Sequence, residues 1–170
     1  MMMLLNYCGK NKYKDEESIG SVLKYIAKEG DTNKAPYTYG VMCSGNYEQA
    51  AIDFDRTQEL YNKEPATKVR HFAISPKGTY SVDVLKEWMV QLGDLFDAQC
   101  LGNEYQIYFG IHTGGRSPHI HFALNPISCE NGKGLYFDED IIANMMTIIS
   151  DLTNQEVGYK VKYETYPKDC

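Results

Sequence analysis

Three of the four histidines in this chain lie within residues 112–121, and their spacing constrains the fold. His112 is followed by Gly114-Gly115 and then by His119-Ile120-His121. Successive side chains of a strand point to opposite faces, so His119 and His121 share one face while Ile120 fills the other. A hairpin with its loop at residues 113–118 would set His112 beside His119, with about 5 Å between their Cβ atoms. The pattern therefore predicts three imidazoles on one face of a β-hairpin.

Such a group of imidazoles could bind one divalent metal ion. Three protein ligands leave coordination positions for water or substrate, which is typical of a catalytic rather than a structural site. Because imidazole ligands are neutral, the ion would keep its full charge and suit an anionic substrate such as a phosphodiester. The alternative is that these are half-buried histidines bonded to backbone or water. The fourth histidine, His71, lies in another apolar run, where it shares a face with Ser75.

Charge and cysteine content restrict the possible classes. A net charge of −6 argues against non-specific affinity for a phosphate backbone, although lysines outnumber acids between residues 9 and 34. Five cysteines without a C-x-x-C pair indicate neither a disulfide framework nor a thiolate zinc site, and favour a reducing, cytosolic setting. The apolar run Met1–Leu5 is too short for a signal peptide or a membrane span. With 170 residues, 43% of them hydrophobic, the chain is expected to form one domain over residues 1–170.

Local patterns predict alternating strands and helices. Helices are predicted over residues 16–29, 47–61, 82–98 and 138–153. Strands are predicted at residues 1–5, 39–43, 69–75, 104–113, 117–125 and 157–163. Tyr25 should lie on the flank of the first helix's apolar stripe. The second helix is expected to bury Ala50, Ala51, Phe54 and Leu60. Because two consecutive strands form a hairpin, we expect an α+β fold with a mainly antiparallel sheet of about five strands.

Three segments resemble a known family. The run Ile111–Asn125 resembles the three-histidine motif of plasmid mobilisation relaxases, which belong to the HUH endonucleases. Val22–Ile26 is similar to the family's helical motif with the nucleophilic tyrosine, and His71–Ser75 to its second motif, whose serine contacts DNA. The three motifs occur in the family's order, and the resemblance spans residues 1 to about 155.

The resemblance implies site- and strand-specific nicking and rejoining of DNA at a transfer origin, as used in conjugative mobilisation. Tyr25 would attack the scissile phosphodiester and keep the 5′ phosphate as a phosphotyrosine. His112, His119 and His121 would hold Mg²⁺, Mn²⁺ or another divalent ion. Expected partners are single-stranded or hairpin DNA and possible accessory relaxosome and coupling proteins, in the bacterial cytoplasm and without membrane insertion.

Several residue roles stay open in the sequence. His71 could orient Tyr25 or a phosphate, or be a satisfied core histidine. Asn125 could take part in catalysis by orienting a ligand or phosphate, or be a turn residue before Pro126. Further residues could either contact DNA or play only ordinary roles at a strand end or as solvated charges: Ser75, Arg116, Lys24 and Lys28.

The chain also departs from the family's pattern. Many relatives carry an acid just after the first motif histidine, whereas Thr113 and Gly114 follow here, so the orienting group and the general base are unassigned. The long C-terminal regions of many relatives have no counterpart, which is expected of a trimmed nuclease domain or a minimal relaxase. Two alternatives remain: a rolling-circle initiator or single-tyrosine transposase, whose nucleophile would be Tyr159, Tyr163 or Tyr166, and a catalytically idle module that binds origin DNA.

Overall fold

The computed structural model describes residues 2–28, 34–114 and 117–163. Strands and helices follow one another in the order that the sequence predicts. The elements are β1 (Met3–Cys8), α1 (Ser18–Ala27), β2 (Thr38–Val41), α2 (Tyr47–Leu60), β3 (Arg70–Ser75), α3 (Val82–Gln99), β4 (Ile107–His112), β5 (His119–Leu124), α4 (Glu139–Thr153) and β6 (Val157–Val161).

The strands of the described residues form one sheet in the order β2-β4-β5-β3-β1-β6. Every neighbouring pair is antiparallel except β1 and β6, which are parallel. The expected α+β fold with a mainly antiparallel sheet is therefore confirmed, with six strands instead of about five. The central hairpin β4–β5 is the one that carries the three histidines.

Alternation along each strand divides the side chains between two faces. Phe72, Phe109 and Phe122 point to one face, where α3 and α4 cover them and complete the larger core. Tyr108 and Ala123 point to the other face, against α1 and α2. His71 and His121 also point to this second face. Each directly precedes a phenylalanine of the first face in its strand, and adjacent side chains of a strand point to opposite faces. The histidines thus lie on the α1 side of the sheet.

Side-chain caps set the starts of three helices. Ser81 accepts a hydrogen bond from the Val84 amide, and Asn46 and Asp138 cap α2 and α4 in the same way. The end predicted for α1 was wrong by two residues. The helix ends at Ala27, and Lys28 adopts a left-handed conformation with φ of 48° that closes the last turn.

One predicted core position on α2 was also wrong. Leu60 is 75% exposed, whereas the polar Thr57 and Gln58 are buried in its stead. Thr57 donates from Oγ1 to Oε1 of Gln106 at 3.0 Å, so its burial leaves no unsatisfied hydroxyl. The hydrophobic pattern did not predict that this face of α2 is buried, because polar side chains occupy it and hydrogen bonds to distant residues offset the cost of burying them.

Gly110 lets α1 pack directly on β4. A Cβ at this position would lie 2.5 Å from the carbonyl oxygen of Ile26, in the last turn of α1. Gly110→Ala is therefore expected to lower the free energy of unfolding by about 1–3 kcal/mol, the range for overpacked cores. Urea denaturation would measure this loss.

Gly20→Ala provides the control on α1, the helix that packs against Gly110. A Cβ at Gly20 meets open space, so alanine should be neutral or stabilise by up to about 1 kcal/mol through its helix propensity. Equal stabilities for the Gly110→Ala and Gly20→Ala variants would contradict the close approach of α1 to β4.

Two further features bear on the expectations from composition. Cys43, Cys100 and Cys129 carry free thiols, while Cys8 is disulfide-bonded, which the cysteine spacing did not predict. Within the described part of the chain, no helix combines the length and apolar character needed to cross a membrane.

Candidate metal centre and active site

The hairpin brings the three histidines together as predicted. His112 on β4 pairs directly with His119 on β5, and His121 follows two residues later on the same face. Their ring centroids lie 3.9 Å apart for His112 and His121, 4.9 Å for His119 and His121, and 5.5 Å for His112 and His119. All three are buried, and one ring nitrogen from each lies within 4.8 Å of the others. We call this group the histidine triad.

Backbone carbonyls orient His112. Its Nε2 lies 3.1 Å from the carbonyl oxygen of Tyr25 and 3.0 Å from that of Ile26. A carbonyl oxygen only accepts hydrogen bonds, so Nε2 carries the proton and Nδ1 keeps the lone pair for a ligand. The last turn of α1 therefore supplies the orienting group that an acidic side chain supplies in many relatives.

The other two triad members are oriented by different partners. Nδ1 of His119 lies 3.2 Å from the carbonyl oxygen of Ser117, so this nitrogen carries the proton and leaves Nε2 as the ligand. Nδ1 of His121 lies 2.8 Å from Nε2 of His71. Nε2 of His121 is buried and, within the described part of the chain, has no hydrogen-bond partner.

The chemistry of these donors fits a metal ion. Burial and the neighbouring His119 and Lys28 charges lower the pKa of His112 to about 3. Burial, chiefly, also lowers the pKa of His121 well below its usual value. Imidazoles that stay neutral at pH 7 offer lone pairs, and the unpaired Nε2 of His121 is a buried polar atom that a metal ion would satisfy. The triad could therefore hold a divalent ion.

The same pKa shifts predict acid sensitivity of the metal-free protein. Burial and the His112 charge lower the pKa of His71 to about 3, and His112 has a similar value. Between pH 6.5 and 3 the unfolded chain binds more protons than the folded one, so the free energy of unfolding falls as pH falls. Each neutral histidine should remove about 2 kcal/mol between pH 7 and pH 5.

Urea denaturation at pH 7, 6 and 5 in the presence of a chelator measures this effect. His71→Gln removes one of the titrating imidazoles, and its stability should depend less steeply on pH. A free energy of unfolding that is constant from pH 7 to pH 5 would contradict the neutral, buried state of these histidines.

Tyr25 lies beside the triad. Its half-buried ring meets the rings of His112, His121 and His71 edge to face, with centroid distances of 4.9, 5.4 and 5.8 Å. The apolar stripe of α1 predicted that Tyr25 lies on its flank. The structure agrees, because Val22, Leu23 and Ile26 of the stripe are fully buried while Tyr25 is only half-buried. The structure thus brings the tyrosine of the helical motif, the second-motif histidine and the triad together.

Two of the four residues predicted to contact DNA, Ser75 and Lys28, lie near the triad. Ser75 and His119 line a cleft of about 360 Å³ together with Ser117, a size within the range of ligand sites. Lys28 is close enough that its charge lowers the pKa of both His112 and His121. Lys24 is exposed on α1. Arg116 lies outside the described residues.

The structure does not bring Asn125 to the triad. Its side-chain amide donates to Oε1 of Gln106 at 2.9 Å and accepts from Nε2 of Gln58 at 3.0 Å, inside the buried polar network with α2. It also accepts from the Ile127 amide at 3.1 Å. Asn125 follows the end of β5 opposite to His119, so these contacts indicate a structural role instead of the catalytic one considered from the sequence.

Among the alternative tyrosines of the C-terminal part, Tyr159 is less well positioned than Tyr25. Tyr159 pairs with Leu5 across β1 and β6 and packs against the core on the α3 and α4 side, away from the histidines. Burial raises its pKa to about 12, which disfavours it as a nucleophile. Tyr163 lies near Lys10, 5.7 Å from ring centroid to Nζ. Tyr166 lies outside the described residues.

Sequence reasoning missed one side chain near this site, that of Tyr13. Its hydroxyl lies 3.4 Å from Nδ1 of His71. Tyr13 precedes α1 in a loop and has φ of 59°, so no periodicity marks it, and 58 residues separate it from its partner.

A mainly antiparallel sheet whose central hairpin carries a buried histidine triad beside a tyrosine-bearing helix is the arrangement of the HUH endonucleases. The family model described as Relaxase: MobA/VirD2-like, nuclease domain, matches residues 25–158, and the chain belongs to this family. A comparison with curated proteins finds no match. Family membership supports DNA nicking by an endonuclease, and the matched range includes Tyr25, His71 and the triad.

Proposed function

We propose that this protein nicks one strand of DNA at a specific transfer-origin sequence and rejoins it, with Tyr25 as nucleophile and a divalent metal ion at the triad. The observation that carries the proposal is the edge-to-face contact of Tyr25 with His112 and His121, at 4.9 and 5.4 Å between centroids. A nucleophile and a metal centre on neighbouring elements are what phosphoryl transfer requires, because this reaction is catalysed mainly by positioning and charge stabilisation.

In the proposed reaction the phenolic oxygen of Tyr25 forms a bond to the scissile phosphorus, and the bond from phosphorus to the 3′ oxygen breaks. The phenol loses its proton and the departing 3′ oxygen takes one up, so that a free 3′ hydroxyl and a 5′ phosphotyrosine remain. The phosphodiester count is unchanged, and attack by a 3′ hydroxyl reverses the step and rejoins the strand. Tyrosine has a pKa near 10, so it needs help to attack at neutral pH.

The triad is the proposed binding site for the metal. His119 would ligate through Nε2 and His112 through Nδ1, the nitrogens that their backbone contacts leave with lone pairs, and His121 through its Nε2, which has no hydrogen-bond partner within the described residues. When bound, a divalent ion would stabilise negative charge on the phosphate. Three imidazoles suit Mn²⁺ or another transition ion better than Mg²⁺, which prefers oxygen ligands.

Neighbouring groups provide a path for the DNA strand. Ser75 and Ser117 line the cleft next to His119, and their hydroxyl groups could donate hydrogen bonds to a phosphate bound there. Lys28 contributes positive charge at the triad, and Lys24 extends it along α1. Arg116 remains a predicted DNA contact. Stacking of bases on exposed tyrosines can share the binding, which makes a basic surface less necessary.

This function implies single-stranded or hairpin DNA at a transfer origin as substrate, in a bacterial cell. Accessory relaxosome and coupling proteins are proposed partners, as the family resemblance suggests. A replication initiator or transposase of the same class that uses Tyr159 is disfavoured, because Tyr159 lies on the opposite side of the sheet; Tyr163 and Tyr166 keep this class as an alternative. A catalytically idle DNA-binding module is a further competitor.

Denaturing electrophoresis tests the proposal. Single-stranded oligonucleotides from candidate transfer origins, labelled at either end, are incubated with the protein and Mn²⁺ or Mg²⁺. The 3′-labelled fragment should migrate with the protein, while the 5′-labelled fragment should be released with a free 3′ hydroxyl. A chelator should abolish both products.

The other outcomes are equally informative. Two free fragments and no adduct would assign water as the nucleophile and overturn the phosphotyrosine. Metal-dependent binding without any cleavage would favour the idle DNA-binding module.

A further inference from the structure

His71 is in contact with two groups that together point to a role in the metal centre. Its Nε2 lies 2.8 Å from Nδ1 of His121, and its Nδ1 lies 3.4 Å from the hydroxyl of Tyr13. The three side chains come from a loop, from β3 and from β5. They form a row that ends at Nε2 of His121, the buried nitrogen that has no hydrogen-bond partner within the described part of the chain.

The direction of these hydrogen bonds decides whether His121 can bind a metal. A neutral imidazole has one protonated nitrogen and one lone pair. If His71 donated to His121, the proton of His121 would sit on Nε2, point into the triad and exclude an ion. If His121 donates from Nδ1 to His71 instead, Nε2 of His121 presents its lone pair to the other two triad members.

We propose that His71 and Tyr13 are positioning residues for the metal, holding His121 in the tautomer with the proton on Nδ1. In this arrangement His121 donates from Nδ1 to Nε2 of His71, and His71 donates from Nδ1 to the hydroxyl oxygen of Tyr13. The inference rests on the metal centre of the proposed function, but it concerns His71 and Tyr13, which lie next to the triad and are not themselves metal ligands. Partners of this kind typically change metal affinity 10- to 100-fold.

The loop that carries Tyr13 is built to hold this position. The Tyr13 carbonyl accepts a hydrogen bond from the Lys68 amide at 2.8 Å, two residues before β3 begins. Gly9 leaves room for the Tyr13 ring, because a Cβ at Gly9 would lie 2.9 Å from three of its atoms, the hydroxyl oxygen among them. The hydroxyl is therefore placed by backbone contacts before any ligand binds.

The same geometry argues against His71 as a general base for Tyr25. Both nitrogens of His71 lie within hydrogen-bonding distance of other side chains. Tyr25 instead meets the His71 ring edge to face, with 5.8 Å between centroids. His71 thus acts through His121 and not directly on the nucleophile.

Nuclear magnetic resonance of the metal-free protein tests the tautomer without DNA. Long-range proton–nitrogen spectra at pH 7 distinguish a protonated ring nitrogen from one that carries a lone pair. His121 should show the proton on Nδ1 in the wild-type protein. A proton on Nε2 of His121 would overturn the inference, whatever the variants do.

Mn²⁺ binding, measured by competition with a fluorescent chelator, tests the consequence. His71→Leu should weaken binding 10- to 100-fold, whereas His71→Gln should stay within about threefold of wild type, because a glutamine oxygen can accept from Nδ1 of His121. Tyr13→Phe should weaken binding about three- to tenfold, since its hydrogen bond is long. Tyr61→Phe is the matched control, because it removes a hydroxyl that donates to the Cys129 carbonyl away from the triad.

The outcomes separate this inference from the proposed function. Unchanged Mn²⁺ affinity in both His71→Leu and Tyr13→Phe would overturn the positioning role, even if the protein cleaves DNA through Tyr25. Weakened Mn²⁺ binding in His71→Leu with recovery in His71→Gln would support it, even if no oligonucleotide is cleaved. Should His71→Leu fail to fold, the wild-type spectrum and the His71→Gln and Tyr13→Phe affinities still decide.

Discussion

If Tyr25 is the nucleophile as proposed, replacing it with phenylalanine should reduce the covalent protein–DNA product by about 10³-fold or more, because the variant keeps the ring and loses only the oxygen proposed to attack. Effects of this size are typical when a catalytic nucleophile is removed. Phenylalanine keeps the ring that contacts His112 and His121, so folding and Mn²⁺ affinity should stay near wild type. Denaturing electrophoresis with a 3′-labelled origin oligonucleotide measures the product.

Tyr61→Phe is the matched control for the loss of a tyrosine hydroxyl. Tyr61 follows α2 and donates to the Cys129 carbonyl at 3.3 Å, so its variant should form the adduct at the wild-type rate. Cleavage that survives Tyr25→Phe would move the nucleophile to another tyrosine or to water. Loss of Mn²⁺ binding in Tyr25→Phe would instead mean that the tyrosine supports the metal centre.

Replacing His121 with alanine should weaken Mn²⁺ binding by more than about 100-fold. Removal of a residue that hydrogen-bonds to a metal ligand typically weakens metal binding 10- to 100-fold, and loss of the ligand itself should weaken it more. His121 is the triad member whose ring lies closest to that of His112, at 3.9 Å between centroids. Competition with a fluorescent chelator measures the affinity, and DNA cleavage should fall with it.

Thermal unfolding separates lost metal binding from damage to the fold. An ion that binds only the folded state stabilises it by RT ln(1 + [L]/Kd), about 2.7 kcal/mol at 100 times Kd. Wild type should therefore melt at a higher temperature in excess Mn²⁺ than in chelator, and His121→Ala should melt at the same temperature in both. Asn125→Ala, which disturbs the separate polar network, should lose stability but keep the Mn²⁺ shift. A Mn²⁺ shift retained by His121→Ala would rule out the triad as the site.

Two parts of the site could be predicted from local patterns. The spacing of His112, His119 and His121 predicted their common face, because a strand period of two and a short turn leave little choice of register. The position of Tyr25 on the flank of α1 followed from the helical stripe of Val22, Leu23 and Ile26. The hairpin and the helix, and the sides that these residues occupy, were therefore expected before the fold was known.

Other parts depend on contacts between distant segments. The carbonyls that orient His112 lie 86 and 87 residues away in the chain, and they belong to the main chain, which has no side-chain signature. The burial of Thr57 and exposure of Leu60 on α2 reversed the expected pattern, because Gln106 offers a hydrogen bond across the fold. Hydrophobic periodicity cannot anticipate such partners.

The chain's local order of polar and apolar residues sets the strands, the helices and the faces on which the histidines and Tyr25 lie, because backbone geometry links side-chain direction to residue spacing. The docking of α1 on Gly110 and the contact of His71 with His121 arise only when the elements pack. These contacts decide which donors and acceptors face the triad and where Tyr25 lies beside it, because the folded chain must bring such groups within 3 to 4 Å of one another.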